Sequence, residues 1–191
     1  MEWTKADTEH LRAFRNLLDC DDIKLKQEIK QRLLSNKYII KVLANKELED
    51  ADAEPDDYFG INIKPYYMIP ETQTSAQNII CFETSNEPRS RWETATVEKY
   101  QQIIFYILCH SNNAIEPMTS VARHDLLAAL IMEEFNFKVL SCGRIHLLSD
   151  KPGITDERYL SRTIIFSCKS DSNLVKTQNG TTRIINKSLI Q

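Results

Sequence analysis

The sequence predicts an α+β protein, in which a ββαββ antiparallel sheet carries a packed helix and is preceded by short N-terminal helices. Three observations lead to this fold class. Apolar residues recur at helical spacing in the first quarter of the chain, and four later segments alternate apolar and polar residues as strands do. One further helical segment falls between the second and third of those strand-like segments, which sets the order of the elements.

The N-terminal segment, residues 1–48, is predicted to be helical. The stretch EHLRAFRNLL places its apolar residues on one stripe, and DDIKLKQEIKQRLL does the same behind Asp21 and Asp22, which are good N-cap residues. The pattern continues through NKYIIKVLANKELE. No heptad repeat is sustained, so we expect short amphipathic helices rather than a coiled coil.

An acidic run, ELEDADAEPDD at residues 47–57, follows these helices, and we place a hinge there. The run lacks the glycine turn and the alternating ligands of a calcium loop, so we expect it to face water. The chain is therefore divided into a helical segment at 1–48, an α+β domain at 49–170 and a C-terminal arm at 171–191. The arm is polar and weakly periodic, as expected of a segment that orders against a partner.

Four segments are predicted to form the sheet: residues 77–84, 96–110, 138–150 and 157–170. Both faces of the second segment become apolar toward its end, so we expect a central strand that is covered on both sides. The turn-rich stretch SDKPGITD is predicted to join the last two strands.

The helix between the strand pairs is predicted to begin at an N-cap, either Thr119 or Ser120. Its apolar residues share one face, which we expect to pack on the sheet. They are Val121, Leu127, Leu130, Ile131 and Phe135.

Composition limits the classes of function. The net charge is -3, from 24 basic and 27 acidic residues, so the overall charge does not favour binding to the phosphates of a nucleic acid. The five cysteines are odd in number and widely spaced, which is typical of reduced core cysteines. No apolar run of membrane-spanning length and no signal peptide is found, so we expect a soluble, unsecreted protein without membrane contact.

The strongest candidates for chemistry are Cys109, His110, His124 and Asp125, at a predicted strand end and helix start. Such groups can polarise water or hold a metal. Adjacent residues of a helix point about 100° apart, however, so we expect His124 and Asp125 not to share one small site. A metal-dependent nuclease using His110, His124 and Asp125 remains the alternative from a different functional class.

Other enzymatic patterns are weaker. Cys142 and His146 would lie roughly 13 Å apart along a strand, too far for one zinc ion shared with Cys168 unless the strand bulges sharply at Gly143. The four glycines are not clustered, so a phosphate-binding loop is not predicted. We therefore predict no catalytic residue, no cofactor and no metal.

Extended segments rich in aromatic residues and arginine favour a binding role instead. The stretch YFGINIKPYYMIP is long and broken by prolines, and NEPRSRWETATVEKY joins the first two strands. Tyr, Trp and Arg are enriched at the centres of protein interfaces. The alternative interpretation is that Tyr66, Tyr67 and Trp92 cover the sheet edge of their own chain.

The succession DYFGINIKPYYMIPETQT, QQIIFYILCH, RHDLLAALIMEEFN and GRIHLLSDKPGITDERYLSRTIIF resembles small neck and tail-completion proteins of long-tailed bacteriophages, tail terminators in particular. The resemblance covers residues 57–170. It implies a non-enzymatic structural protein with a small α/β sheet and flanking helices. Such a protein is assembled in the host cytoplasm and lies at the head-to-tail junction of the virion.

The resemblance also implies partners. Copies of the chain would form a ring, usually a hexamer, that binds the tail-tube protein and stops growth of the tube. The ring would also dock on a head-closure or connector protein. DNA would pass through the lumen without specific binding. A head-closure or tail-completion protein of the same neck is the near alternative.

A ring subunit needs loops that reach its neighbours, and the aromatic segment around Tyr66 and Tyr67 is expected to serve as such an arm. Further inter-subunit or axial contacts are expected at Arg89, Arg91, Trp92, Lys151 and Arg158.

Overall fold

The computed structural model describes residues 4–13, 21–68, 77–89, 96–155, 158–176 and 182–184 of the chain. The helices are α1 Lys5–Ala13, α2 Asp21–Ser35, α3 Lys37–Leu43, α4 Lys46–Asp50 and α5 Arg123–Phe135. The strands are β1 Ile63–Lys64, β2 Ile79–Arg89, β3 Thr96–His110, β4 Val139–Leu140, β5 Gly143–Arg144, β6 His146–Ile154, β7 Tyr159–Lys176 and β8 Thr182–Ile184. The predicted α+β class is confirmed.

The main sheet has the order β1-β2-β3-β7-β6, and β8 pairs with the far end of β7. The four long strands β2, β3, β7 and β6 are antiparallel to one another, as predicted, and β3 is central between β2 and β7. The short strand β1 pairs parallel to β2, which the prediction missed. Two residues are too few to show an alternating pattern, so this strand could not be found from the sequence.

The third predicted strand, residues 138–150, was wrong in its bounds. The chain turns sharply before Gly143, whose φ is +111°, and forms the small β4–β5 hairpin. Strand β6 then runs through to Ile154, across most of the stretch predicted as a turn. Pro152 is tolerated inside β6 because this strand lies at the sheet edge, where one side of the backbone needs no partner.

The predicted start of the central helix was also wrong. Helix α5 begins at Arg123, and its N-cap is Ala122 rather than Thr119 or Ser120. The reason is a tight loop: Ile115 forms a β-bridge with Ala122, and the Arg123 backbone N–H donates to the Ala114 carbonyl at 2.7 Å.

The same loop leaves Val121, which was predicted in the core, 40% exposed. Ser120 has a φ of +58°, outside the helical region. The other four predicted positions of α5 face the core: Leu127, Ile131 and Phe135 are buried, and Leu130 packs against them partly buried.

Helices α2, α3 and α5 cover one face of the sheet and build the main core with it. Phe105 of β3 lies at its centre, with ring centroids 5.0 Å from Phe135 and 5.9 Å from Phe166. The predicted apolar stripe of α2 and α3 is buried there: Ile29, Leu33, Leu34, Ile39 and Leu43. Burial of these side chains is the main source of stability.

The opposite face of the sheet, called the open face below, is covered less completely. One end holds a small buried cluster of Ile79, Cys81, Leu108 and Tyr159. The segment 65–68 lies across part of this face, and the Tyr67 ring lies 4.4 Å from that of Tyr106. Beyond it Ile104 and Ile165 are only half-buried.

Three buried asparagines join the N-terminal helices to the sheet. Asn45 donates to the Asn62 side chain at 2.7 Å, and Asn62 donates to the Asn78 carbonyl at 2.8 Å. Asn78 in turn donates to the Leu43 carbonyl at 3.0 Å. Buried amides are retained when they are paired in this way. The predicted domain boundaries near residues 48 and 170 stay predictions.

Cys81, Cys109, Cys142 and Cys168 are buried, as predicted for core cysteines, whereas Cys20 lies outside the described residues. In the described ranges no helix is both long and apolar enough to cross a membrane.

Candidate interaction surface

Two of the residues predicted for chemistry, His124 and Asp125, belong to a salt-bridge cluster at the start of α5. Arg162 of β7 donates from Nε and Nη2 to the two carboxylate oxygens of Asp150, each at 2.7 Å. Its Nη1 donates to Asp125 of α5. This bidentate arrangement, with a second carboxylate on the third nitrogen, joins α5, β6 and β7.

His124 also belongs to this cluster, so the expectation that it would point away from Asp125 was wrong. Its Nε2 lies 3.4 Å from Asp125 Oδ1. The same Asp125 oxygen accepts the hydrogen bond from Arg162 Nη1. Hydrogen bonding to Asp150, followed by the contact with Asp125, raises the pKa of Arg162 above its ordinary value, so the guanidinium keeps its charge.

The other members of the set have separate partners. His110 accepts a hydrogen bond on Nδ1 from the Asn112 backbone N–H, and its ring packs against Tyr159. Burial raises the pKa of Cys109 to about 12, so this thiol stays neutral and is a poor nucleophile. The arrangement supports a structural cluster more readily than a hydrolytic site.

The zinc candidates are arranged for packing as well. The Cys168 thiol donates to the Cys142 carbonyl at 3.2 Å inside the protein, whereas His146 is exposed and its ring lies 5.5 Å from that of Phe137. Within the part of the chain that the structure describes, no three His, Cys, Asp or Glu side chains converge as metal ligands.

The sequence analysis did not identify Arg162, which holds the salt-bridge cluster together. Its position inside the apolar stretch YLSRTIIF does indicate an ion pair, because a charge in a covered strand needs a partner. The pattern does not say which carboxylates provide it.

The predicted interface residues lie in different parts of the sheet. Tyr66 and Tyr67 are 50% and 40% exposed, and Tyr67 packs on the open face of its own sheet. Lys151 is exposed on β6, and exposed Arg158 accepts a hydrogen bond from Ser111 on its carbonyl. The side chain of Arg89, together with Arg91 and Trp92, lies outside the described residues. Their contact roles stay predictions.

An exposed apolar surface lies where α5 ends and the edge strand β6 begins. We call it the β6 patch; its members and exposed fractions are Phe137 65%, Val139 63%, Leu147 36% and Leu148 61%. Several exposed large apolar side chains at one place are typical of an interaction surface.

The β6 patch is held by a strained and well-bonded backbone. Phe137 has a φ of +63°, a left-handed conformation that is costly for a bulky residue. Its N–H donates to the Ile145 carbonyl at 3.0 Å, and the Leu147 N–H donates to the Asn136 side chain at 3.0 Å. The register with β7 shifts between Leu147 and Ser149, so Leu148 occupies a bulge.

A second exposed surface lies at the other edge of the sheet. We call it the β1 patch. It consists of Ile61, which precedes β1 in the chain and is 39% exposed, and Tyr66, which follows β1 and is 50% exposed. The acidic run lies directly before it, with Glu54, Asp56 and Asp57 exposed on a 3-10 turn that leads into β1. Around the β6 patch the exposed charges include Lys138, Arg144 and Lys151.

Comparison with known proteins adds a family and a fold. A family model described as YomW matches residues 36–168, which is more than half of the chain and includes α3 as well as the sheet. A search of curated proteins found no match. A similar solved structure is a chain in the virion of a native gene transfer agent particle. The two chains are 10% identical with a TM-score of 0.50, over 78% of this chain and 95% of that one.

Proposed function

We propose that this chain, which belongs to the YomW family, is a structural protein of a phage-type virion that forms a ring ending the tail tube. The ring would join the tube to the head connector, so that its location is the head-to-tail junction. The observation that carries the proposal is the likeness in fold to a chain of a gene transfer agent virion, nearly the whole of which is matched. A fold can host many functions, so the proposal is tested on assembly.

The surface of the molecule supports a subunit with several contact regions. A ring subunit contacts its two neighbours through different surfaces, and the β6 and β1 patches lie at opposite edges of the sheet. The sheet also continues past its core. Strands β3 and β7 stay paired from Gln101 and Cys168 to Thr96 and Val175, which adds roughly 15–20 Å of paired backbone. We propose that this end of the sheet makes the axial contacts.

The salt-bridge cluster supports a structural rather than a catalytic role. Arg162 forms salt bridges with both Asp125 and Asp150 and so joins the edge strand to the helix layer. That arrangement makes β6 a rigid edge, which suits a contact surface. A nuclease would instead need Asp125 to hold a metal, and its Oδ1 already accepts a hydrogen bond from Arg162.

Assembly on tail tubes tests the proposal. The purified chain is mixed with tail tubes that lack their terminal ring, and the mixture is imaged by negative stain while light scattering measures the mass of the free protein. We expect closed rings, or density on one end of each tube, with tubes of an unrelated phage as the control. A chain that binds neither tubes nor heads would overturn the proposal.

Two further outcomes distinguish the alternatives. Binding to DNA-filled heads but not to tubes would indicate a head-closure or tail-completion role in the same neck. Nicking of plasmid DNA in magnesium or manganese, abolished by His124→Ala, would indicate the nuclease. Under the ring proposal the lumen binds DNA weakly, so DNA retention should depend little on salt.

A further inference from the structure

We infer that neighbouring copies join through opposite edges of their sheets, with the β6 patch of one copy docked on the β1 patch of the next. The inference deepens the proposed ring and rests on it for the statement that the chain assembles with itself. It names the two surfaces that meet and the residues on each.

The placement of the patches favours a head-to-tail contact over a two-fold one. Strands β1 and β6 lie at the two edges of a sheet with three strands between them, about 19 Å apart. A two-fold dimer uses one patch twice and leaves the other exposed. A head-to-tail contact covers both patches in every subunit and can close into a ring.

The charges beside the two patches are complementary. Exposed Lys138, Arg144 and Lys151 lie by the β6 patch. Exposed Glu54, Asp56 and Asp57 lie by the β1 patch, and of these Asp56 is paired with Lys30 at 3.3 Å. Opposite charges at the rim of an interface steer association and oppose the wrong pairing of like surfaces. A contact between two β6 patches would bring positive charges together, whereas a β6-to-β1 contact brings opposite charges together.

The directions of the strands fit the same contact. Strand β1 runs parallel to β2, and each step from β2 through β3 and β7 to β6 reverses direction. Strands β1 and β6 therefore run in opposite directions. Copies placed side by side in the same orientation bring these edges together in antiparallel directions. Because the Ile63 carbonyl of β1 already accepts from the Gly60 N–H at 2.8 Å, we expect the side chains of the two patches to make the contact rather than a continuous backbone ladder.

A neighbouring copy docked on the β6 patch would account for the unusual backbone at Phe137 and Leu148. Phe137 adopts a left-handed backbone just after α5, and although it contacts Ile145 and His146 it stays 65% exposed in the single chain. The bulge at Leu148 likewise places a leucine outside the regular register. A neighbouring copy would cover both side chains.

Two blocking variants test the inference. Leu148→Glu puts a carboxylate on the β6 patch, opposite the acidic side of the next copy, and Tyr66→Lys puts an ammonium on the β1 patch. Each alteration removes one of the two surfaces and leaves the other intact. The matched controls are Ile115→Glu and Tyr38→Lys, because these residues are 56% and 58% exposed and lie outside both patches.

Analytical ultracentrifugation and chemical crosslinking of concentrated protein give the result. We expect the unaltered chain and both controls to form oligomers, and each blocking variant alone to stay monomeric. An equimolar mixture of the two blocking variants should recover at least a dimer, since one keeps an intact β1 patch and the other an intact β6 patch. Circular dichroism checks that all variants are folded.

Other results would overturn the inference. If Tyr66→Lys still dimerised alone while Leu148→Glu did not, the contact would be two-fold through β6. If both blocking variants assembled like the controls, or if the unaltered chain stayed monomeric at millimolar concentration, the edges would not be the contact. Edge-to-edge assembly by a chain that binds no tube or head would keep this inference and overturn the proposed function.

Discussion

The two faces of strand β3 carry similar residues with different surroundings. Ile103, Phe105 and Ile107 are buried beneath α2 and α5, whereas Ile104 and Tyr106 between them are only half-buried. Alternation places these residues on opposite faces, and a helix layer then covers one face. The covered face supplies most of the stability of the fold, whereas the open face and the two sheet edges are where we propose that partners bind.

The largest expected effect comes from breaking the covered face. Phe105→Ala should lower the free energy of unfolding by about 3–5 kcal/mol, because it leaves a cavity among Phe82, Phe135 and Phe166. Ile104→Ala, on the next residue, should cost about 1 kcal/mol. Urea denaturation measures both. Equal losses would mean that the open face is also covered in the isolated chain.

The salt-bridge cluster should have the next largest effect. Arg162→Met leaves Asp150 and Asp125 without a counter-charge, and we expect a loss of about 2–3 kcal/mol, less than for a fully buried pair because Asp125 is 43% exposed. The control is Arg32→Met, which breaks a more exposed single pair with Glu134 and should cost about 1 kcal/mol or less. Similar losses from the two changes, measured by thermal or urea unfolding, would contradict the special role of Arg162.

A smaller effect is expected on the open face. Tyr67→Ala removes the ring that packs on Tyr106 and should cost about 1 kcal/mol. Tyr66→Ala should change the free energy of unfolding by less than about 0.5 kcal/mol, because this side chain is half exposed. If Tyr66 proved as costly as Tyr67, then the segment 65–68 would be part of the core rather than a partner surface.

The smallest effect concerns alkaline pH. The pKa of Cys109 is raised by burial from 9.0 to about 12, so between these values the unfolded chain releases a proton that the folded chain keeps. The contribution of this thiol is therefore complete below pH 9.0, and the free energy of unfolding falls as the pH rises above it. Cys109→Ala should flatten this dependence in pH-resolved urea denaturation, and an unchanged slope would argue against the shift.

Several features of the fold could be predicted because they depend on local patterns. The stripe of Ile29 and Leu33 on α2, the alternation of β3 and the apolar face of α5 each follow from the period of a helix or strand. Together they determined the α+β class and the central position of β3. The lack of clustered ligands or glycines in the sequence also favoured a binding role over a catalytic one.

Other features depended on contacts between distant residues. The tertiary structure decided that α5 begins at Arg123, because a bridge between Ile115 and Ala122 holds the preceding loop out of the helix. It also brought Arg162, 37 positions from Asp125, to the carboxylate that His124 contacts. Local periodicity carries no information about such partners.

The sequence by itself determined which residues are apolar enough to be buried and which segments can be helices or strands. Only the tertiary structure decided which face the helices cover and which edges remain open. The physical reason is that side-chain periods are properties of a single segment, whereas burial depends on what packs against it. The β6 patch illustrates this, since Phe137 and Leu148 are as apolar as core residues and yet lie at the surface.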